Sequence, residues 1–182
     1  SKTNIFGKLN CDYAVLEIDE AYAVKAFEHF TPDVINLTNL FRDQLDRYGE
    51  IEFTRNVLID AVNKAPDATL VINADDPVCY EISLKTKVKT VSYSISDNLN
   101  TDLSDAKDGR FCPSCGNELK YNFYHYSQLG DYYCDCGFKH PEADYKATEV
   151  SLKEGISFKI NGNYEVKADY RGFYNVFNML SC

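Results

Sequence analysis

Two cysteine pairs constrain this chain more tightly than any other feature. Cys112-Pro-Ser-Cys115-Gly and Cys134-Asp-Cys136-Gly are separated by 18 residues, so four of the seven cysteines fall within 25 residues of a 182-residue sequence. Each short loop supplies two thiolates, its glycine permits the tight turn, and the stretch between can form a hairpin. This is the pattern of a zinc ribbon. Four thiolates complete a tetrahedron and leave no open position, so an ion held there would be structural. His125 and His140 are near enough in sequence to substitute as ligands, but a packed histidine is the commoner fate. An odd cysteine total makes a poor disulfide framework. The N-terminus, Ser1-Lys2-Thr3-Asn4, lacks the apolar core of a secretory signal, so the expected compartment is cytoplasmic.

Residues 1–95 read as strands and helices in alternation. Residues 12–18 (DYAVLEI) form an apolar run rich in strand formers, and the helix EAYAVKAFEHF that follows stops at Thr31-Pro32. Residues 33–38 read as a second strand. A polar stretch, 39–50, leads into a helix over about 52–65, where Phe53, Val57, Leu58, Ala61, Val62 and Ala65 recur at helical spacing. Residues 68–73 are a third strand, Pro77 opens a short helix, and 88–93 are a fourth strand. Such alternation implies a mostly parallel sheet flanked by helices. Residues 95–109 are a polar linker. The ribbon occupies 110–141, alternation around Asn161-Gly162-Asn163 marks a β-hairpin, and GFYNVFNMLSC reads as the first turns of a helix. The expected fold is therefore α/β, with a zinc ribbon inserted and a β-hairpin after it.

Charge narrows the function. Nineteen basic against 28 acidic residues give a net charge of −9, which disfavours nonspecific binding to a polyanion. Around the ribbon the cations Arg110, Lys120, Lys139 and Lys146 stand among acids. Tyr121, Phe123, Tyr124, Tyr126, Tyr132 and Tyr133 could stack bases, but alternating aromatics on a small hairpin are more often its core. No apolar run exceeds four residues, so nothing in the sequence reads as a transmembrane helix.

Acidic and amide residues recur at successive strand ends, where ligands bind in open α/β sheets. Glu17 closes the first run and could hold Mg²⁺, or could, with Asp19 and Glu20, simply complement the helix dipole. Thr38-Asn39 opens a segment carrying Arg42, Asp43, Asp46 and Arg47, and a solvated loop is the plain alternative. Asn73-Ala-Asp-Asp76-Pro follows the third strand, and turn chemistry alone could account for it.

The order VLEIDEA, TNLFRDQLDRYGE, NADDP, GFYNVFN resembles the central ATP-binding domain of the Mur ligase family, and with the inserted ribbon it resembles the MurT branch. Members of the family use ATP to turn a carboxylate into an acyl phosphate that an amine attacks. In that branch a GatD-like glutamine amidotransferase supplies ammonia, and the α-carboxyl of D-glutamate in the lipid II stem peptide is amidated. The resemblance implies that Glu17 binds Mg²⁺ and that Asn175 and Asn178 line an adenine pocket. It also implies departures. Gln44 stands where most members have histidine, and Leu58 or Ile59 where they have a carbamylated lysine; both fit the MurT branch. No GxxxxGK[ST] occurs in the chain. The expectation is a partial ATP-binding domain over 1–182 that lacks the P-loop, with the ribbon at 110–141, excised from a larger enzyme and inactive alone. The competing expectation is a noncatalytic zinc-ribbon module on an α/β platform that binds protein or nucleic acid.

Overall fold

The computed structural model describes residues 11–40, 48–99 and 111–182. A six-stranded sheet forms its frame, in the order β1-β2-β3-β6-β7-β8. Strands β1 (Val34–Leu37), β2 (Thr69–Asn73), β3 (Lys89–Ile95) and β6 (Tyr145–Ser151) run parallel, with Asn36 opposite Val71 and Asn73 opposite Tyr93. Strands β7 (Ile156–Ile160) and β8 (Tyr164–Ala168) complete it antiparallel. Between β3 and β6 the chain builds a separate two-stranded sheet, β4 (Lys120–Tyr126) with β5 (Leu129–Tyr133).

Period-two alternation splits the core across the sheet. Leu70 and Ile72 of β2 pack with Leu58 and Val62 of α2 (Tyr48–Asn63) and with Val78 and Ile82 of α3 (Pro77–Lys85). Val71, between them, joins the other cluster, where Tyr93 and Ile95 meet Phe158, Val176 and Phe177. Those last two belong to α4 (Tyr174–Leu180), which covers the second face. Helix α1 (Glu20–Ala26) lies against α2, where Lys64 Nζ reaches Glu28 Oε1 at 3.0 Å and the Val24 carbonyl at 3.3 Å.

Two expectations need correction, and a third gains a detail. Residues 12–18 belong to no strand, with Tyr13 at 90% and Val15 at 99% exposure. A strand is a pairing, and no described residue hydrogen-bonds to them as a ladder neighbour. Helix α1 is shorter than the sequence pattern, ending at a Phe27 cap before the turn that carries His29. The hairpin around Asn161-Gly162, both at positive φ (50° and 74°), is present as β7–β8, but β6 before it extends the parallel sheet. That role was not visible in its alternation.

Candidate functional site

The ribbon's two knuckles are built alike. Gly116 N–H closes onto the Cys112 carbonyl at 2.8 Å and Gly137 N–H onto that of Cys134 at 3.0 Å, with positive φ of 77° and 95° at the two glycines. The four sulfurs lie within 4.8 Å of one another. Cys112 Sγ is 3.7 Å from Cys136 Sγ, and Cys115 Sγ is 3.5 Å from Cys134 Sγ. Tetrahedral zinc with Zn–S bonds of 2.3 Å separates its sulfurs by about 3.8 Å, so the set could hold one ion with little movement. Burial pushes the Cys112 thiol up to about 12, while the Phe138 backbone N–H and neighbouring sulfurs bring Cys136 down to about 7. Leu119, Tyr132 and Phe138 supply the ribbon's small core, and Tyr80 of α3 packs on Phe138 with ring centroids 5.5 Å apart.

His125 and His140 are not part of this cluster. They meet Asp75 instead, in the turn after β2. His140 Nε2 is 2.7 Å from Asp75 Oδ1, and His125 Nε2 lies 2.9 Å from the Ile95 carbonyl and 3.6 Å from Asp75 Oδ2. The same carboxylate accepts from Ile95 N–H at 3.0 Å. Gly130 N–H reaches the Asp75 carbonyl at 3.0 Å, and Tyr132 donates its hydroxyl to the Ala74 carbonyl at 3.1 Å.

Asp76 is more fully occupied still. Its Oδ1 caps α3 through Val78 and Cys79 N–H at 2.8 and 3.3 Å; its Oδ2 accepts from Leu40 N–H at 2.8 Å and Gln128 Nε2 at 3.3 Å. Burial raises its carboxyl above the ordinary value, and these four donors oppose the shift. The NADDP turn therefore does more than turn. It docks the ribbon.

The structure distributes the other sequence-derived candidates unevenly. Glu17 sits exposed on the unpaired 12–18 stretch rather than at the end of a buried strand, and makes no hydrogen bond or ion pair with a described residue. Asp19, two residues on, is committed to capping α1 by accepting from Ala21 N–H at 3.0 Å. Asn175 and Asn178 share one face of α4: Asn175 Nδ2 donates to the Arg171 carbonyl at 2.8 Å, and Asn178 Nδ2 to Asn175 Oδ1 at 3.2 Å. Leu58 and Ile59, at the positions of the family's lysine, pack in or against the first core. Arg42, Asp43, Gln44, Asp46 and Arg47 lie outside the described residues, as does Arg110. Among the remaining ribbon-region cations, Lys120 pairs with Asp135 and Lys146 with Glu142, which leaves little charge for a nucleic acid.

The model of the Mur ligase middle domain matches residues 3–131, most of the chain. The chain belongs to the Mur ligase middle-domain family. It is 35% identical over 176 residues to the MurT subunit of the glutamine-hydrolysing lipid II isoglutaminyl synthase of Streptococcus pneumoniae (strain ATCC BAA-255 / R6), covering 96% of this chain and 39% of that one. The Staphylococcus aureus (strain COL) MurT subunit is 33% identical over 170 residues, or 92% and 38%. Among solved structures, a pseudomurein peptide ligase type C from Methanothermus fervidus superposes with a TM-score of 0.66 at 33% identity, over 82% of this chain and 29% of that chain. This Mur ligase middle domain thus spans well under half the length of each relative. No described helix is long and apolar enough to cross a membrane.

The ribbon's docking residues carry a faint sequence signal. Alternation places Tyr121, Phe123 and His125 on the packed side of β4, and a histidine on a packed face needs an acceptor. Nothing local identified that acceptor as Asp75, or Gln128 as a partner of Asp76.

Proposed function

We propose that this chain is the nucleotide-binding middle part of an ATP-dependent amide-forming ligase subunit, one that amidates the α-carboxyl of D-glutamate in the lipid II stem peptide. Ammonia would come from a GatD-like glutaminase partner. The observation that carries this reading is identity of about one third to MurT subunits along 96% of the chain, a span that takes in the ribbon. In this reading the parent works in the cytoplasm, and the 182 residues are a partial ATP-binding domain carrying an inserted zinc ribbon at 110–141.

The available residues fit the groups such an enzyme needs. Glu17 closes the apolar run and makes no bond to a described residue, whereas Asp19 is spent on its helix, so Glu17 is the residue proposed to hold Mg²⁺. The ion supplies charge neutralisation where a carboxylate oxygen must approach the γ-phosphate. Asn178 is exposed and keeps its amide oxygen and one N–H after bonding Asn175, the donor–acceptor pair that matches an adenine edge. Asn175, tied to Arg171, orients it. Cys112, Cys115, Cys134 and Cys136 would hold zinc as a structural ion, because four thiolates leave it no open position.

A second reading has its own support: the M. fervidus structure is named a peptide ligase and is as similar in sequence. Both readings share acyl activation and differ in the nucleophile. The complete subunit, purified with its glutaminase partner and given lipid II, Mg-ATP and either glutamine, ammonium or free amino acids, separates them. Amidated product from glutamine and ammonium supports the first reading. Product only with an amino acid supports the second, and no ATP-dependent product with any donor overturns both.

A further inference from the structure

We propose that Gln128, at the tip of the ribbon's hairpin, is a positioning residue for the loop that leaves β1, so that the ribbon acts as a brace on the nucleotide-facing end of the sheet. The proposal rests on the ligase reading above and adds a role for the ribbon within it.

The argument starts from backbone accounting. The β1–β2 ladder ends at Leu37 opposite Ile72. Beyond it, the backbone groups of residues 38–40 pair with no described strand, and buried backbone polar groups need partners. Leu40 finds both of its partners in side chains. Its N–H donates to Asp76 Oδ2 at 2.8 Å, and its carbonyl accepts from Gln128 Nε2 at 2.8 Å. Gln128 Nε2 also donates to Asp76 Oδ2 at 3.3 Å, which closes a ring of three residues drawn from the loop after β1, the turn after β2 and the ribbon.

Gln128 is built for one orientation. It is 2% exposed, both its amide hydrogens are used within the ring, and its Oε1 accepts from the Ser127 hydroxyl at 2.8 Å. Tyr121 holds the backbone beneath it, donating its hydroxyl to the Gln128 carbonyl at 2.9 Å. Gly130, two residues on, bonds the β2 turn through its N–H to the Asp75 carbonyl at 3.0 Å, and it sits so close to β4 that a Cβ there would lie 2.3 Å from the Phe123 carbonyl oxygen. A surface hairpin that served only itself would present its tip to water. This one buries a fully bonded amide against a strand-end loop. The C-terminal ends of parallel strands are where an open α/β sheet binds its ligand, so a fixed Leu40 means a fixed rim to that site.

The test uses the complete subunit with its glutaminase partner. Gln128→Met keeps the length and volume of the side chain and removes both donors. The expected result is retention of one zinc per chain and faster amide exchange in a peptide spanning residues 38–40. Exchange in β4 and β5 should be unchanged, with kcat lower by about tenfold or more with both glutamine and ammonium, as small misplacements of reacting groups produce. Ser127→Ala, which only frees the amide to rotate, should show a smaller loss of the same kind, about two- to fivefold, on the same principle. Wild-type kcat in Gln128→Met overturns the proposal. If that variant loses zinc and unfolds the ribbon, Ser127→Ala decides, and its wild-type kcat and exchange overturn it equally. Wild-type protein without amide-forming activity defeats the ligase reading instead, while the exchange at residues 38–40 still reports whether Gln128 holds the loop.

Discussion

Asp75 and His140 meet at 2.7 Å although 65 residues separate them in sequence, and this contact fastens the far end of the ribbon to the turn after β2. Asp75 is 1% exposed and the His140 side chain 16%, so the pair is formed largely away from water. Removing the carboxylate leaves the Ile95 N–H and a histidine without their acceptor, and stranded buried donors are costly. Asp75→Ala should destabilise the protein by about 3 kcal/mol, and His140→Ala, which leaves Asp75 its bond from Ile95, by about half of that. Urea denaturation of the two variants checks the order. Equal losses would show that Asp75 acts through His140 alone.

The cysteine cluster gives a compositional prediction. One zinc ion per chain should be found, with all four sulfurs about 2.3 Å from it. Cys115→Ser should lose the ion and unfold the ribbon locally, since Leu119, Tyr132 and Phe138 are a core too small to stand without it. The six-stranded sheet has its own two clusters and should persist. Metal analysis together with amide exchange in β2 and β3 measures both halves. Global unfolding of Cys115→Ser would mean that the ribbon is integral to the sheet.

The ribbon shows what could be read from the sequence and what could not. Spacing alone located Cys112, Cys115, Cys134 and Cys136, because metal geometry acts over a few residues and imprints itself on the local pattern. Local apolar runs likewise marked β2 and β3, and Pro77 marked the start of α3. Residues 12–18 carry an equally good strand pattern, yet Val15 is fully exposed, because periodicity records what a segment could bury and not whether a partner lies beside it. The contacts from Gln128 to Leu40 and from His140 to Asp75 were illegible for the same reason. They span 88 and 65 residues, and no spacing rule reaches that far.

Two glycines of the ribbon should respond differently to the same added methyl group. At Gly130 a Cβ would stand 2.3 Å from the Phe123 oxygen, a backbone atom of the paired strand β4 that cannot swing aside, so Gly130→Ala should cost about 3 kcal/mol and push β4 and β5 apart. At Gly137 nothing lies within 4 Å, and only the positive φ of 95° resists, so Gly137→Ala should cost about 1 kcal/mol. Thermal unfolding of the zinc-loaded proteins compares them. A larger loss at Gly137 would contradict the close approach at Gly130.

Glu17 offers the sharpest check on the proposed chemistry. Its side chain is exposed and carries no bond to a described residue, so Glu17→Gln removes a charge without removing a bond to any described residue, and stability should change by less than about 0.5 kcal/mol. Its proposed work begins only when Mg-ATP and an acceptor carboxylate are present. Bringing that carboxylate to the γ-phosphorus sets two anions together, and the metal that relieves the repulsion needs a carboxylate to hold it. In the complete ligase, Glu17→Gln should therefore slow amidation by about 10²-fold, the order expected when charge stabilisation at a transferring phosphoryl group is lost. The loss should be equal with glutamine and with ammonium, because activation precedes either nitrogen source, and raised Mg²⁺ should recover part of it. Asp19→Asn should do far less, since an asparagine still caps α1. A Glu17→Gln enzyme slow with glutamine but normal with ammonium would move Glu17 from the metal to the passage of ammonia between subunits.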